Sequence, residues 1–460
     1  MSSLIHFGCW NKGFCKPDEV SNGMSAVIKE LLNFDIPSFY LIAGDNYYPD
    51  KIKINGKKKK VFDEENFTSG FECIKMLKMR APVYMLMGNH DLQEEKDMTI
   101  AGTEEQADKC EIIQREMKYA EEFNFNRYAT LMDKNTLCIF INSFLYTEDS
   151  KKVKDCIKIY RKEHYSDKTS IAEIREFDEI VHKKLLDILI NKFTFKNIII
   201  SGHDPIVTYK VKSGEFKKKT LYKKGIEFLY QLYSKLPEAN KYYLCADTHQ
   251  YQKAEIEINE CKITQYVVGT GGTDCDKPCP PLDIELNDVD IIEEEPAEDE
   301  QAEDDDIENK EAEDDDVENK EAEDDDVENK EAEDDDVEEL TLRYKLTDCN
   351  TSFGFLYCKH ILPLETGNLD FKYIEVANCD GEQVATDQPS TAQPLDIEIR
   401  NDIRKLKNIL DENTSAKKAG SKKRHSKKRH SKKRHSKKRH SKKRRSKKRR
   451  SKKRRSKKTR

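Results

Sequence analysis

The chain has 460 residues and a formal net charge of −6, a figure that hides strong segregation. Residues 293–339 carry 30 acids against 3 bases, and residues 417–460 carry 29 bases and no acid, so a mildly acidic body bears two oppositely charged appendages. No run approaches the ~18 consecutive apolar residues of a membrane helix, and the N-terminus lacks the basic and apolar regions of an export signal, which argues against a membrane-spanning or secreted chain.

Residues 1–281 alternate apolar runs with helix-like stretches, the pattern of an α/β core. In chain order, LIHFG (4–8) leads into Cys9-Trp10-Asn11, and Ile28–Asn33 has helical spacing. FYLIAG (39–44) leads into Asp45-Asn46-Tyr47-Tyr48, followed by the basic run Lys57–Lys60. VYMLMG (83–88) leads into Asn89-His90-Asp91. The charged stretch 91–124 is predicted to be a helical surface insertion, and Ile171–Ile190 a helix. NIIISG (197–202) leads into His203-Asp204-Pro205, with Lys217–Lys219 beyond it. YYLCA (242–246) leads into Asp247-Thr248-His249.

From residue 282 the composition changes. The unit EAEDDDVENK recurs up to Leu340. Its aspartate triplets repel one another, and one Val or Ile per unit cannot bury a core, so 282–339 is expected to be a disordered insertion. Residues 340–346, 352–361 and 369–376 read as strands, so 340–380 is expected to complete the same core. A long surface loop costs little closure entropy. A linker (381–416) with a helix-like piece at 397–410 leads to the tail 417–460, which is SKKRH four times, SKKRR three times and SKKTR.

Five apolar runs thus end in a small residue followed by polar ligand types. Ligands at the C-terminal ends of neighbouring strands converge on one crevice. Gly or Ala there allows a sharp turn and a close approach. Carboxylate, amide, imidazole and phenol suit hard or borderline metals. One carboxylate between two ions can bridge them, and two ions ~3.5–4 Å apart can clamp a phosphate and lower the pKa of a bound water. Asp45 is the natural bridge.

The order GDNYY, GNHD, GH and a degenerate GHxH resembles the calcineurin-like metallophosphoesterases. Tyr48, three places after Asp45, and VVGTGG (267–272) are similar to the purple acid phosphatase branch. The resemblance implies a two-sheet β-sandwich flanked by helices, and phosphomonoester hydrolysis by a metal-bound hydroxide. It implies that Asp45 bridges two metals, that Tyr48 and His249 bind the first, iron, and that Asn89 and His203 bind the second, which is zinc, manganese or iron. It gives His90 the catalytic role, hydrogen-bonding the phosphate or protonating the leaving group, with Asn89 also at the substrate. Two positions depart from the pattern. Where the family has its first Asp this chain has Cys9, and where it has the first His of GHxH this chain has Asp247. Asp247 can still serve as a ligand of the second metal. Cys9 is either a soft thiolate replacement or merely a small buried residue. These departures support an alternative: a catalytically degenerate member acting as a binding scaffold.

The thirteen cysteines show no framework spacing and no zinc-type pair, so they read as reduced thiols of a cytoplasmic or nuclear protein. Lys57–Lys60 and Lys217–Lys219 either draw a phosphorylated small molecule or phosphoprotein to the catalytic rim or are solvated loop lysines. The tail has no aromatics for base stacking, so it is expected to bind polyanions or nucleic acid without sequence preference. It also resembles import signals, offers serines for phosphorylation, and can pair with the acidic segment; drifting low-complexity sequence explains it equally.

Overall fold

The computed structural model describes residues 2–54, 57–103, 105–212, 215–282, 284–286, 291–292, 340–360 and 369–377, all within the unit Met1–Leu395. The expectations for most of the acidic insertion, for the linker and for the basic tail lie outside these residues.

Two mixed sheets face each other. The smaller has the order Leu369–Ala377, Phe353–His360, Ser3–Phe7, Phe39–Ile42, Val83–Met85. Its last three strands run parallel, so the ends at Gly8, Ala43 and Leu86 lie along one edge. The larger sheet has the order Glu285–Leu286, Leu342–Asn350, Tyr251–Ile258, Cys261–Val268, Asn240–Cys245, Asn197–Ser201, Thr136–Phe140, Ala129–Asp133. In it Asn197–Ser201 and Asn240–Cys245 are parallel neighbours, which brings His203 and Asp247 to one edge as well. Both sheets are flanked by helices, as an α/β metallophosphoesterase fold requires.

The sheets meet through aromatic and small residues. Tyr373 stacks on Tyr251 at 4.3 Å, Phe371 on Tyr266 at 4.6 Å, and Tyr84 lies 5.3 Å from Phe140. Beneath the shared edge Cys9, Ala43 and Ala246 pack together, and their small size lets the two strand-end rows approach. The helix read at Ile28–Asn33 begins earlier, spanning Gly23–Asn33, because Asn22 caps it by accepting from Ser25 N–H at 2.8 Å. The helix Ile171–Ile190 has the predicted bounds, set by a Ser170/Glu173 capping box. No helix among the described residues is long and apolar enough to cross a membrane.

The stretch 91–124 is not a surface insertion. It holds short helices at Asn89–Leu92 and Glu111–Glu116, and it buries Leu92, Ile112, Ile113, Glu116 and Phe123. Its charges misled because three of them, Asp91, Glu95 and Glu116, are buried.

The cysteines are also corrected. Cys15–Cys73, Cys110–Cys156 and Cys279–Cys349 form disulfides, and Cys275 is disulfide-bonded too. Partners 46 to 70 residues apart leave no local spacing to read. The reducing-compartment argument for cytoplasm or nucleus falls with it. Cys279–Cys349 ties together the two sides of the acidic insertion. Loop closure over that separation predicts a loss of roughly 4 kcal/mol for the Cys279→Ser/Cys349→Ser variant, measured by urea unfolding. The wild type in reducing agent should lose at least as much.

Candidate metal centre

Three strand-end residues adopt a left-handed backbone: Cys9 at φ 53°, Asp45 at 53° and Asp247 at 58°. Such conformations cost roughly 1–3 kcal/mol each in non-glycine residues and persist where the surroundings enforce them. Here they turn three side chains from three strands toward one point. Gly44 and Gly88 permit the approach. A Cβ on Gly44 would lie 2.8 Å from His203 Nδ1, and one on Gly88 only 2.2 Å from Asp45 Oδ1.

Asp45 sits at the centre, 1% exposed, and its two oxygens face different donor sets. Oδ2 accepts from the Tyr48 hydroxyl at 2.6 Å and from the Cys9 thiol at 3.9 Å. Tyr48 Oη in turn lies 3.2 Å from His249 Nε2. Oδ1 accepts from His90 N–H at 3.0 Å and lies 3.3 Å from His203 Nε2, which is 3.1 Å from Asn89 Oδ1. His203 Nδ1 donates to Ala43 O at 2.7 Å, the tautomer that aims Nε2 into the site. One ligand atom each from Cys9, Asp45 and His203 lies within 4.8 Å of the others. Asp247 Oδ1 is 4.0 Å from His203 Nε2. Asp45, Asn89, His203 and Asp247 therefore meet, with Tyr48, His249 and Cys9 beside them.

His90, Asn89, Tyr48 and His249 are half-buried and form the mouth, with the His90 ring 4.9 Å from that of Tyr48. Burial pushes the Asp45 carboxyl up, but His203, His90 and the Tyr48 hydroxyl prevail and hold it below the usual range. Burial, then Asp45, pushes the Cys9 thiol and the Tyr48 phenol well up. Burial opposes a charged His203, yet Asp45, Asp204 and Asp247 raise it.

Sequence reasoning missed a second layer. Asp91 accepts from Gly88 N–H at 2.7 Å and Asn46 N–H at 2.6 Å, fixing the Gly88 and Asp45 turns against each other. Burial, then Asp45, pushes Asp91 up to about 7, and the buried Glu116 beside it is raised well above the usual range, first by burial and then by Asp91. The sequence places Lys217–Lys219 at the catalytic rim or in solvent without foreseeing the pairing of Lys219. Lys217 is exposed, as a solvated lysine would be, but Lys219 Nζ donates to Asp247 Oδ1 at 2.7 Å and Asp204 Oδ1 at 2.9 Å. Burial opposes its charge and the two carboxylates prevail, raising it well above the ordinary lysine value. Strand alternation puts Lys217 and Lys219 on one face of EFKKKT and Lys218 on the other, so no local pattern singles out Lys219. Lys60 pairs with Glu95. Trp10 packs on Phe71 at 5.8 Å and donates to Asn46, a structural role.

The sequence model of the calcineurin-like phosphoesterases matches residues 4–251. The chain belongs to that family. Calcineurin-like phosphoesterases bind a dinuclear metal centre, and membership supports a metal-dependent phosphoesterase. Among solved structures the chain is similar to GAP50, "the anchor in the inner membrane complex of Plasmodium", at 12% identity and a TM-score of 0.39, covering 88% of this chain and 94% of that one. It is also similar to PhoD, at 10% identity and a TM-score of 0.38, covering 91% and 78%. No curated protein matches.

The donors around Asp45 Oδ2 fit a metal ion. A carboxylate oxygen, a phenol and an imidazole converge within hydrogen-bonding reach, with a sulfur alongside. The donors around Oδ1 include a nitrogen and an amide oxygen turned the same way, but Asp247 already accepts an ammonium there.

Proposed function

We propose that this phosphoesterase hydrolyses phosphomonoesters, of a phosphorylated small molecule or a phosphoprotein, in the manner of the purple acid phosphatase branch. The observation that carries the reading is the division of Asp45: one oxygen toward Tyr48 and Cys9, the other toward the His90 N–H and His203, which Asn89 also meets. Asp45, Tyr48 and His249 would hold iron, with Cys9 adjacent. Zinc, manganese or iron suits the donor types of Asn89, His203 and Asp247, but Lys219 competes for one of them. Bound metal supplies Lewis acidity toward phosphoryl oxygens and activates water.

The chain's own groups do the rest. Asn89 and His90, at the mouth, contact the phosphate. As the water oxygen bonds to phosphorus and the ester P–O bond breaks, His90 gives a proton to the departing oxygen. The His90 main chain is tied to Asp45 Oδ1, so the proton donor and the metal-holding carboxylate keep a fixed spacing. The test is p-nitrophenyl phosphate turnover by iron-loaded protein. Wild type should turn over and show a visible phenolate-to-iron band. His90→Asn should lower kcat by about 10²-fold with the band kept, and Tyr48→Phe should lose the band. Absence of both turnover and band would favour the scaffold reading, which the neutral Cys9 thiol and the Lys219–Asp247 pair support.

A further inference from the structure

We infer that the Lys219 ammonium holds the place of a second cation, so that this centre takes one metal ion where the family takes two. The inference rests on reading Asp45, Asn89, His203 and Asp247 as the second half of the metal centre.

Lys219 lies on the strand Glu215–Thr220, opposite Thr208, and its side chain is only 16% exposed. Its ammonium bridges two carboxylates that are themselves buried, Asp247 and Asp204. The Asp247 oxygen it takes is the one facing His203. Lys210 lies 3.5 Å from the other oxygen. A dication using Asp247 Oδ1 would therefore sit against an ammonium bonded to the same atom, in a site where burial strengthens repulsion.

Asp204 shows that Lys219 does not simply fill space left by an ion. Asp204 accepts from Ser143 Oγ at 3.1 Å and donates its N–H to the same oxygen at 2.7 Å, so its carboxylate is fixed in place. Among the described ion pairs, Lys219 is its only cationic partner. Swinging Lys219 out to admit a metal would strand a fully buried carboxylate, which is costly. The charges agree. Asp45, Asp204 and Asp247 face the ammoniums Lys210 and Lys219. With Tyr48 bound as phenolate this set carries −2, which one di- or trivalent ion offsets to within a single charge, whereas a second ion leaves it at least doubly positive before substrate arrives.

The test is metal stoichiometry on the full chain. Wild type, Lys219→Arg, Lys219→Met and Lys219→Met/Asp204→Asn would be stripped with chelator, equilibrated with excess zinc or ferrous ion, desalted and analysed for metal per chain. The double variant removes the ammonium together with the carboxylate that needs it, so it guards against misfolding of the single one. Wild type and Lys219→Arg should retain one ion, and the Met-containing variants two. Two ions in wild type, or no gain in either Met-containing variant, would overturn the inference while leaving the phosphoesterase reading intact. No ion in any form would overturn both.

Discussion

Asp45→Asn is expected to lower p-nitrophenyl phosphate turnover by at least about 10³-fold, equivalent to ~4 kcal/mol of transition-state stabilisation, and to abolish chelator-resistant metal. The expected change in stability is far smaller, within about 1 kcal/mol. The split follows from what Asp45 does in each state. In the fold its oxygens act as acceptors, for the Tyr48 hydroxyl and the His90 N–H. An amide oxygen can keep one of these bonds, and the amide needs less of the favourable charge environment that His203 and His90 supply, so the remaining loss is modest. At the centre, by contrast, Oδ2 is needed as an anionic donor to the ion held with Tyr48 and His249. An amide offers a single neutral oxygen and turns an N–H toward whichever half-site it faces. Metal content, turnover and a thermal melt on the same preparation would separate the outcomes. A variant that loses activity and also melts far below wild type would show that Asp45 matters to folding first, and would undercut its assignment as a metal-holding carboxylate.

The site was legible in the sequence where its position depends on local pattern. Each of the five strand ends is an apolar run, a small residue and a polar residue, and parallel neighbours in a sheet bring such ends together with no further information. The helix Ile171–Ile190 was legible for a similar reason, since its cap lies next to its apolar stripe. What was not legible depends on partners distant in the chain. Lys219 is one of three consecutive lysines, and only the fold reveals Asp204 and Asp247, 15 and 28 residues away, as its acceptors. Glu116 sits in a charged stretch that composition assigns to the surface. It is buried beside Asp91, and burial together with the neighbouring carboxyl raises the pKa of both, which lowers the cost of taking them out of water. The disulfides join residues that no spacing rule connects. Composition records how many charges and thiols a segment has, but not which of them find a partner that makes burial tolerable.

Cys9→Asp is the second variant with a large expected effect, and its signs differ between metal-free and metal-loaded protein. In the metal-free chain the Cys9 sulfur is fully buried, 3.9 Å from Asp45 Oδ2, and burial together with Asp45 keeps it a neutral thiol. It thus adds no negative charge to the Tyr48 side of the centre. An aspartate there places a second buried carboxylate against Asp45, so the metal-free variant should be less stable than wild type by about 2–3 kcal/mol. The left-handed backbone at this position opposes that only slightly, since Asp tolerates it better than Cys. Once metal binds, the repulsion becomes attraction, and a hard oxygen suits iron better than a protonated sulfur. Affinity should rise at least about tenfold, or ~1.4 kcal/mol, with turnover rising alongside it. Thermal melts across a metal titration would show the crossover: a lower melting point than wild type without metal, and a larger upward shift with it. Because ligand that binds only the folded state stabilises it in proportion to the logarithm of its concentration, the two curves should cross within the titration. If affinity and turnover both fell instead, the sulfur would have to be serving as a thiolate ligand, deprotonated by the ion it binds. The soft donor would then belong to the working centre rather than mark a weakened one.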